Sequence, residues 1–378
     1  MAGIYLHIPF CKQACNYCNF HFSTSLRQKD DMLAALSREM ALRQDYLQQQ
    51  EISTVYWGGG TPSLLSSSEL MQLWDKMTRS FNLDAPGEVT LEANPDNLSP
   101  AYLKALAGTP VNRLSIGIQS FREEDLRYMN RAHTAQEADY AVKAAQDAGF
   151  ENISIDLIYG TPTMNDQQWK ENIHYALGLG VPHISSYALT VEPRTALAHA
   201  IEKGRSVEPD NEQAATQFEL LMDALTGAGY DHYEISNFAL PGRYAVHNTN
   251  YWRGAHYIGL GPSAHSFDGG SRQWNVANNA LYLKQVLTDS HVPAEREELS
   301  FEDRLNEYLM TSLRTMWGTD LALLAKDFGS DVAADITERS AAYRDKGCML
   351  LQDGHLVLTP AGKLLADRIA SELFYDKK

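Results

Sequence analysis

The chain has 378 residues, 44% apolar and 21% charged, the composition of a globular protein able to bury a sizeable core. Its net charge of −16 repels phosphate backbones and anionic headgroups, so no nucleic-acid partner is expected. It contains no apolar run of about 18 residues, no basic-then-apolar leader pattern and too few cysteines (four) for a disulfide scaffold, so a cytoplasmic location is expected.

Residues 1–190 repeat one pattern, a β-rich run, a loop with Gly or Pro and a helical stretch. In "GIYLHIP", Ile4, Leu6 and Ile8 alternate with Tyr5 and His7, the period of a strand. Further strands are predicted over "ISTVYWGGGTPS", "GEVTLEANP", "VNRLSIGIQSF", "FENISIDLIYGTP" and "VPHISSYALTVEP". Amphipathic stretches such as "DDMLAALSREMALRQDYL" and "AQEADYAVKAAQDAG" lie between them, the latter ending at Gly149, which suits a helix C-cap. Strands alternating with helices build a parallel sheet, and six units predict an α/β fold of the partial (β/α)6, TIM-like barrel type. A doubly wound sheet is the alternative. In a barrel, the loops leaving the strands' C-terminal ends form the active face.

Residues 191–290 are less regular, with a helix over "NEQAATQFELLMDALTGAG" and then an aromatic, His-containing stretch. "DSHVPAEREELS" reads as a polar linker. Beyond it, helical patterns, a hairpin turning at Asp353-Gly354 and a last helix predict a small winged-helix-like domain. The expected division is 1–295 for the barrel with its aromatic extension and 296–378 for this C-terminal domain. The chain's acidity favours a structural or docking role there over DNA binding.

Cys11, Cys15 and Cys18 are spaced C-x3-C-x2-C directly after the first strand, whereas Cys348 reads as a small buried residue. Clustered cysteines in a reducing compartment are metal or catalytic ligands before they are disulfides. Three thiolates can hold three irons of a 4Fe–4S cluster and leave the fourth open. A zinc site completed by His7 or His21 is the alternative. "WGGGTP" follows the second strand, and its bare backbone permits close approach of a ligand. Glu92 and Gln119 end strands three and four, Arg131 follows in "MNRAHT", and Asp156 lies within strand five, where a carboxylate needs a partner. A structural salt bridge is the competing role for each.

The cysteine spacing, with Tyr17 just before the last cysteine, resembles the radical S-adenosylmethionine (SAM) superfamily. That resemblance implies a 4Fe–4S cluster whose open iron is chelated by the amino and carboxylate groups of SAM. In this order, "YLHIPFCxxxCxYCxF", "GGGTPS", "LEANP", "GIQSF", "IDLIYGTP" and "HNxxYW" resemble the HemN/HemW group over nearly the whole chain. That group contains oxygen-independent coproporphyrinogen III dehydrogenases and the related heme chaperones. The resemblance places SAM contacts at Tyr5, Tyr17, Gly59, Gly60, Thr61, Glu92, Gln119, Arg131 and Asp156.

Two features separate the branches. The dehydrogenases carry a further cysteine two residues after the third, where this chain has Phe20, and a longer segment before the motif than the ten residues preceding Cys11. "HNTNYW", residues 247–252, matches the chaperone motif instead. The resemblance then implies heme as cargo, His247 as an axial ligand with Tyr251 and Trp252 against the porphyrin, acceptor hemoproteins as partners, dimerisation and peripheral membrane association. A capped turn under an aromatic cluster is the structural reading of His247. His256 and His265 follow at nine-residue intervals that fit no helical face, and carry no assignment. The competing functions are a radical-SAM oxidoreductase or methyltransferase acting on a porphyrin-type substrate, and a zinc-stabilised barrel. Coproporphyrinogen dehydrogenase activity is not expected.

Overall fold

The structure, a computed structural model, describes residues 1–375. Six strands, β1 (Ala2–Ile8), β2 (Ile52–Gly59), β3 (Glu88–Ala93), β4 (Arg113–Gln119), β5 (Ile153–Tyr159) and β6 (His183–Ala188), pair in parallel in chain order. Helices Lys29–Leu42, Ser67–Ser80, Pro100–Leu106, Ala135–Asp147 and Asp166–Gly178 connect them, giving the expected partial barrel. Local signals set the helix starts: Ser66 with Glu69, Thr134 with Glu137 and Asn165 with Gln168 form reciprocal capping boxes that satisfy free backbone N–H groups. Gly149, at φ +91°, follows the end of the Ala135–Asp147 helix as its sequence predicts.

The strands' period-two pattern sorts two environments. Ile4, Leu6, Val55, Trp57, Val89, Leu91, Leu114, Ile116, Ile153, Ile155 and Ile184 are buried in the main apolar core. Each fully buried aliphatic side chain contributes about 1.5–3 kcal/mol. The alternate positions are polar and equally enclosed: Thr54, Glu88, Thr90, Arg113, Ser115, Ser154, His183 and Ser185. By register these form layers across the sheet, Gly3–Thr54–Glu88, then Tyr5–Tyr56–Thr90–Arg113, then Glu92–Ser115–Ser154–His183. The barrel therefore has a polar lumen inside an apolar shell.

The sheet continues past both ends of the barrel. β7 (Asp231–Glu234) and β8 (Asn237–Ala239) form a hairpin, with β8 antiparallel to β6. On the other side β9 (Tyr257–Leu260) runs parallel to β1, followed by antiparallel β10 (His265–Phe267), β11 (Ser271–Asn275) and β12 (Ala294–Glu298). β12 corrects the expectation of a linker over residues 289–300, and it spans the 295/296 division. Its "AEREE" sequence sits on the sheet edge almost wholly exposed, so it lacks the alternation that marks a half-buried strand. β9 is only four residues long and was likewise illegible. Glu39 ties this extension to the barrel: it accepts from Arg43 (3.1 Å), Gly261 N–H (2.7 Å), Asn275 (2.7 Å) and Tyr282 (2.5 Å), all buried.

A second core, including Leu305, Leu309, Leu324, Ile336, Met349, Leu356 and Ile369, underlies a small sheet of β13 (Thr319–Asp320), β14 (Met349–Gln352) and β15 (His355–Leu358). Cys348 is buried within it. Asp353 and Gly354 both take positive φ (+50° and +80°) between β14 and β15, the turn that their sequence predicts. Arg314 binds this unit to the barrel, pairing with Glu234 at 3.1 Å while its guanidinium lies over the Trp252 ring at 5.4 Å.

Candidate functional site

The three sequence-adjacent cysteines lie on the loop leaving β1, half-buried and in no disulfide. The loop is pinned at several points: Cys11 N–H donates to Ser23 O (3.0 Å), Asn16 N–H to Met129 O (3.0 Å), and Leu197 N–H to Asn16 O (2.8 Å). Arg131 reaches the loop from beyond β4, donating to Cys15 Sγ (3.2 Å), Asn94 Oδ1 (2.7 Å) and Gly117 O (2.8 Å). Tyr17 packs on a small cluster with Leu126 and Met129. Burial pushes the Cys11 thiol up to about 11 and raises that of Cys18. Without added positive charge these two thiols stay protonated.

This donor set fits a cluster and does not fit a single ion. Among the described residues, no three His, Cys, Asp or Glu side chains converge on one ion. Of the two histidines that could complete a zinc site, His7 has both ring nitrogens engaged, Nε2 with the His21 carbonyl at 2.8 Å and Nδ1 3.2 Å from the Tyr5 hydroxyl, and His21, whose Nε2 lies 2.7 Å from Asn279 Oδ1, does not converge with the cysteines. A zinc site draws its ligands to one point, whereas a cubane gives each thiolate its own iron.

The loop after β2 is built onto the cysteine loop. Gly60 N–H donates to Ile8 O (2.9 Å) and Thr61 N–H to Phe10 O (2.7 Å); a Cβ on Gly60 would stand 2.5 Å from Phe10 O. Gly59 has φ +106°, and a Cβ there would meet the His7 ring at 2.7 Å. Only glycine suits both demands. Gly59 N–H donates to Glu92 Oε2 (3.1 Å), and Tyr56 O–H donates to Glu92 Oε1 (2.8 Å). The Tyr5 hydroxyl lies 3.2 Å from His7 Nδ1, and its ring stacks on Tyr56 with centroids 6.0 Å apart. Gln119 ends β4 at φ +66°, a strained conformation for a non-glycine residue of the kind concentrated at functional sites.

Two carboxylates share the lumen. Desolvation first, and mutual repulsion with Asp156, push Glu92 up to about 7. Desolvation pushes Asp156 up to about 6, against hydrogen bonds from Ser185 and Ser115 and the charges of Arg113 and Arg131. Both groups thus titrate near neutrality and would be held ionised by a cationic ligand.

His247 lies apart from this group. It heads the helix Val246–Trp252, which enters the barrel at the strands' N-terminal ends, opposite the cysteine loop. Thr54 Oγ1 is 2.9 Å from its Nδ1 and the Tyr56 ring is 5.1 Å away. The N-cap Ala245 has no capping side chain; Glu88 substitutes across the sheet, accepting from Val246 N–H (2.9 Å) and His247 N–H (2.8 Å). A cavity of about 590 Å³ joins the two ends, running from Phe20 and His21 past Tyr5 and Glu92 to His247. Tyr251 lines it; Trp252 faces a separate cleft toward the C-terminal unit.

Sequence reasoning missed Thr54, Tyr56 and Glu88, although their alternation with Val55, Trp57 and Val89 already put them on the lumen face. His256 and His265 also line the cavity. No local pattern marks them, because β9 and β10 bring them there.

A parallel barrel with three separate thiols on the first loop is the radical SAM arrangement, and residues 5–176 match the family described as Radical SAM superfamily. Residues 299–365 match the HemN C-terminal domain. The chain belongs to the family of the heme chaperone HemW. It is 33% identical to Heme chaperone HemW of Bacillus subtilis, covering 98% of each chain. It is 36% identical to that of Mycobacterium tuberculosis over 98% of this chain and 94% of the relative. Against that of Escherichia coli the identity is 38%, over 70% and 69% of the two chains. The fold is also that of coproporphyrinogen III oxidase (HemN) from Escherichia coli, with TM-score 0.85 and 22% identity over 99% of this chain and 90% of that one.

Proposed function

We propose that this chain is a heme chaperone: it binds heme in the barrel cavity and passes it to acceptor hemoproteins, with SAM and a 4Fe–4S cluster seated at the opposite end. The observation that carries this reading is the cavity of about 590 Å³ with a neutral imidazole at its floor and the cysteine loop at its mouth. Burial, and secondarily Arg113, push His247 down to about 4, so at neutral pH its ring can offer a lone pair to heme iron.

Cys11, Cys15 and Cys18 would hold the cluster, which when bound supplies an open iron for the amino acid end of SAM and a source of single electrons. Gly59, Gly60 and Thr61 would form the wall against which that ligand packs. Glu92 and Asp156 would compensate its positive charge, and Arg131 its carboxylate. Tyr5, Tyr17 and Gln119 would complete the enclosure. Phe20, 69% exposed at the cavity mouth, offers apolar surface where the dehydrogenases have a cysteine. The C-terminal unit, 296–378, would serve docking. Among the described residues no helix is long and apolar enough to cross a membrane; a cytoplasmic location, a homodimer and peripheral membrane contact belong to the same proposal.

Heme titration of the wild type and of His247→Ala, followed by transfer to an apo-hemoprotein with and without SAM, tests this. Loss of the axial-ligand spectrum in the variant and transfer by the wild type are expected. Equal spectra would defeat the ligand assignment, and 5′-deoxyadenosine formation coupled to coproporphyrinogen turnover would replace the chaperone reading with an enzymatic one.

A further inference from the structure

The imidazole of His247 is held from three strands at once. From β2, the buried Thr54 hydroxyl meets Nδ1 at 2.9 Å. From β1, Gly3 leaves room for the ring: a Cβ there would stand 3.2 Å from His247 Cε1 and 3.3 Å from Nδ1. From β3, Glu88 fixes the backbone through the two N–H groups at the helix start. Glu88 is in turn buried beside Arg113, 3.8 Å from its Nε. A buried structural histidine partners both ring nitrogens, as His183 does with Ser154 (2.7 Å) and Tyr233 (2.7 Å). This one has its inner nitrogen bonded, its backbone anchored and a strand glycine beneath its ring, while the ring borders a ligand-sized cavity.

We propose that Thr54 is a positioning residue for heme binding: it accepts from Nδ1–H of His247, fixing the tautomer whose Nε2 carries the free lone pair. Gly3 sets the depth at which the ring sits. This deepens the heme-ligand reading above and rests on it. The physical logic is that of outer-shell partners generally: a bond to the second ring nitrogen orients the imidazole and raises its basicity toward the metal.

The test compares heme titrations and ferric and ferrous absorption spectra of the wild type with those of Thr54→Val, Thr54→Ser and Gly3→Ala. Thr54→Val keeps the side chain's shape and removes the acceptor. It should weaken heme binding by about 10–100-fold and shift the axial-ligand bands, while the thermal midpoint and the reconstituted iron content stay near wild type. Thr54→Ser should restore both affinity and spectrum. Gly3→Ala, whose Cβ would meet the Thr54 hydroxyl at 3.0 Å and the ring at 3.2 Å and so crowds the hydroxyl–imidazole pair itself, should shift the same bands. Wild-type affinity and spectrum in Thr54→Val would overturn the proposal while leaving His247 as ligand. If Thr54→Val does not fold, Gly3→Ala decides, and an unshifted spectrum there overturns it. If His247→Ala itself binds heme with an unchanged spectrum, the ligand reading fails first and this one with it.

Discussion

Glu92 gives the sharpest quantitative expectation. Its carboxyl, enclosed by the barrel yet bordering the cavity, is pushed up to about 7, and that of Asp156 to about 6. The ordinary values are 4.5 and 3.8. In the ligand-free protein burial holds each proton more tightly than in the unfolded chain, so their contribution to stability is complete below about pH 4 and is lost as pH rises through about 6 and 7. A ligand that keeps its sulfonium charge while its amino group coordinates the cluster is bound better by the ionised forms. Binding that requires ionised Glu92 is weakened by a factor of one plus the ratio of protonated to ionised carboxyl, about 11 at pH 6 and about 1.1 at pH 8. Glu92 alone therefore makes SAM affinity about tenfold weaker at pH 6 than at pH 8, and Asp156 adds about a further twofold. Isothermal titration of SAM into anaerobically reconstituted protein, in buffers of differing ionisation enthalpy, measures affinity and protons released together. Beyond the proton that the ligand's own amino group loses on coordination, about 1.4 protons should leave per SAM at pH 6, about 0.9 from Glu92 and about 0.5 from Asp156, and about 0.1 at pH 8. Glu92→Gln, neutral throughout, should remove the Glu92 share, about tenfold between pH 6 and pH 8, and leave the part that comes from the ligand's own amino group. A pH profile and proton release that are the same in wild type and Glu92→Gln would refute the reasoning.

Other expectations follow from the same geometry. Cys15→Ala should lower reconstituted iron well below the roughly four atoms per chain of a complete cluster; full iron content would remove Cys15 from the ligand set. Gly59→Ala places a Cβ 2.7 Å from the His7 ring at a φ of +106°, so a stability loss of about 1–3 kcal/mol or more by urea unfolding is expected, together with weaker SAM binding. Unchanged values for both would mean that the loop relaxes freely. Glu39→Ala leaves the buried Arg43 guanidinium without its carboxylate, and a loss of about 3–5 kcal/mol in urea unfolding is expected; a loss under about 1 kcal/mol would show that the extension does not depend on this network.

The barrel and its catalytic-type face were legible in the sequence for local reasons. Alternation such as Ile4-Tyr5-Leu6-His7-Ile8 marks strand and face without knowledge of any partner, because successive side chains point to opposite sides. Capping residues such as Thr134 with Glu137 act within one turn of helix. The cysteine loop and the glycines after β2 are also local, since a short segment must carry the ligands and the bare backbone. These features determined the fold class and one end of the site.

Only the tertiary structure decided the other end. Thr54 and His247 are 193 residues apart in sequence, and neither predicts the other. The four-residue β9, unmarked by any pattern, pairs beside β1 and carries the adjoining His256 to the cavity wall, and β10 brings His265 there. Alternation could tell which face Glu88 occupies but not that its carboxylate would cap a helix arriving 159 positions later. A strand's period is written in its neighbours along the chain, whereas the polar partners that position His247 are chosen by how the sheet closes around it.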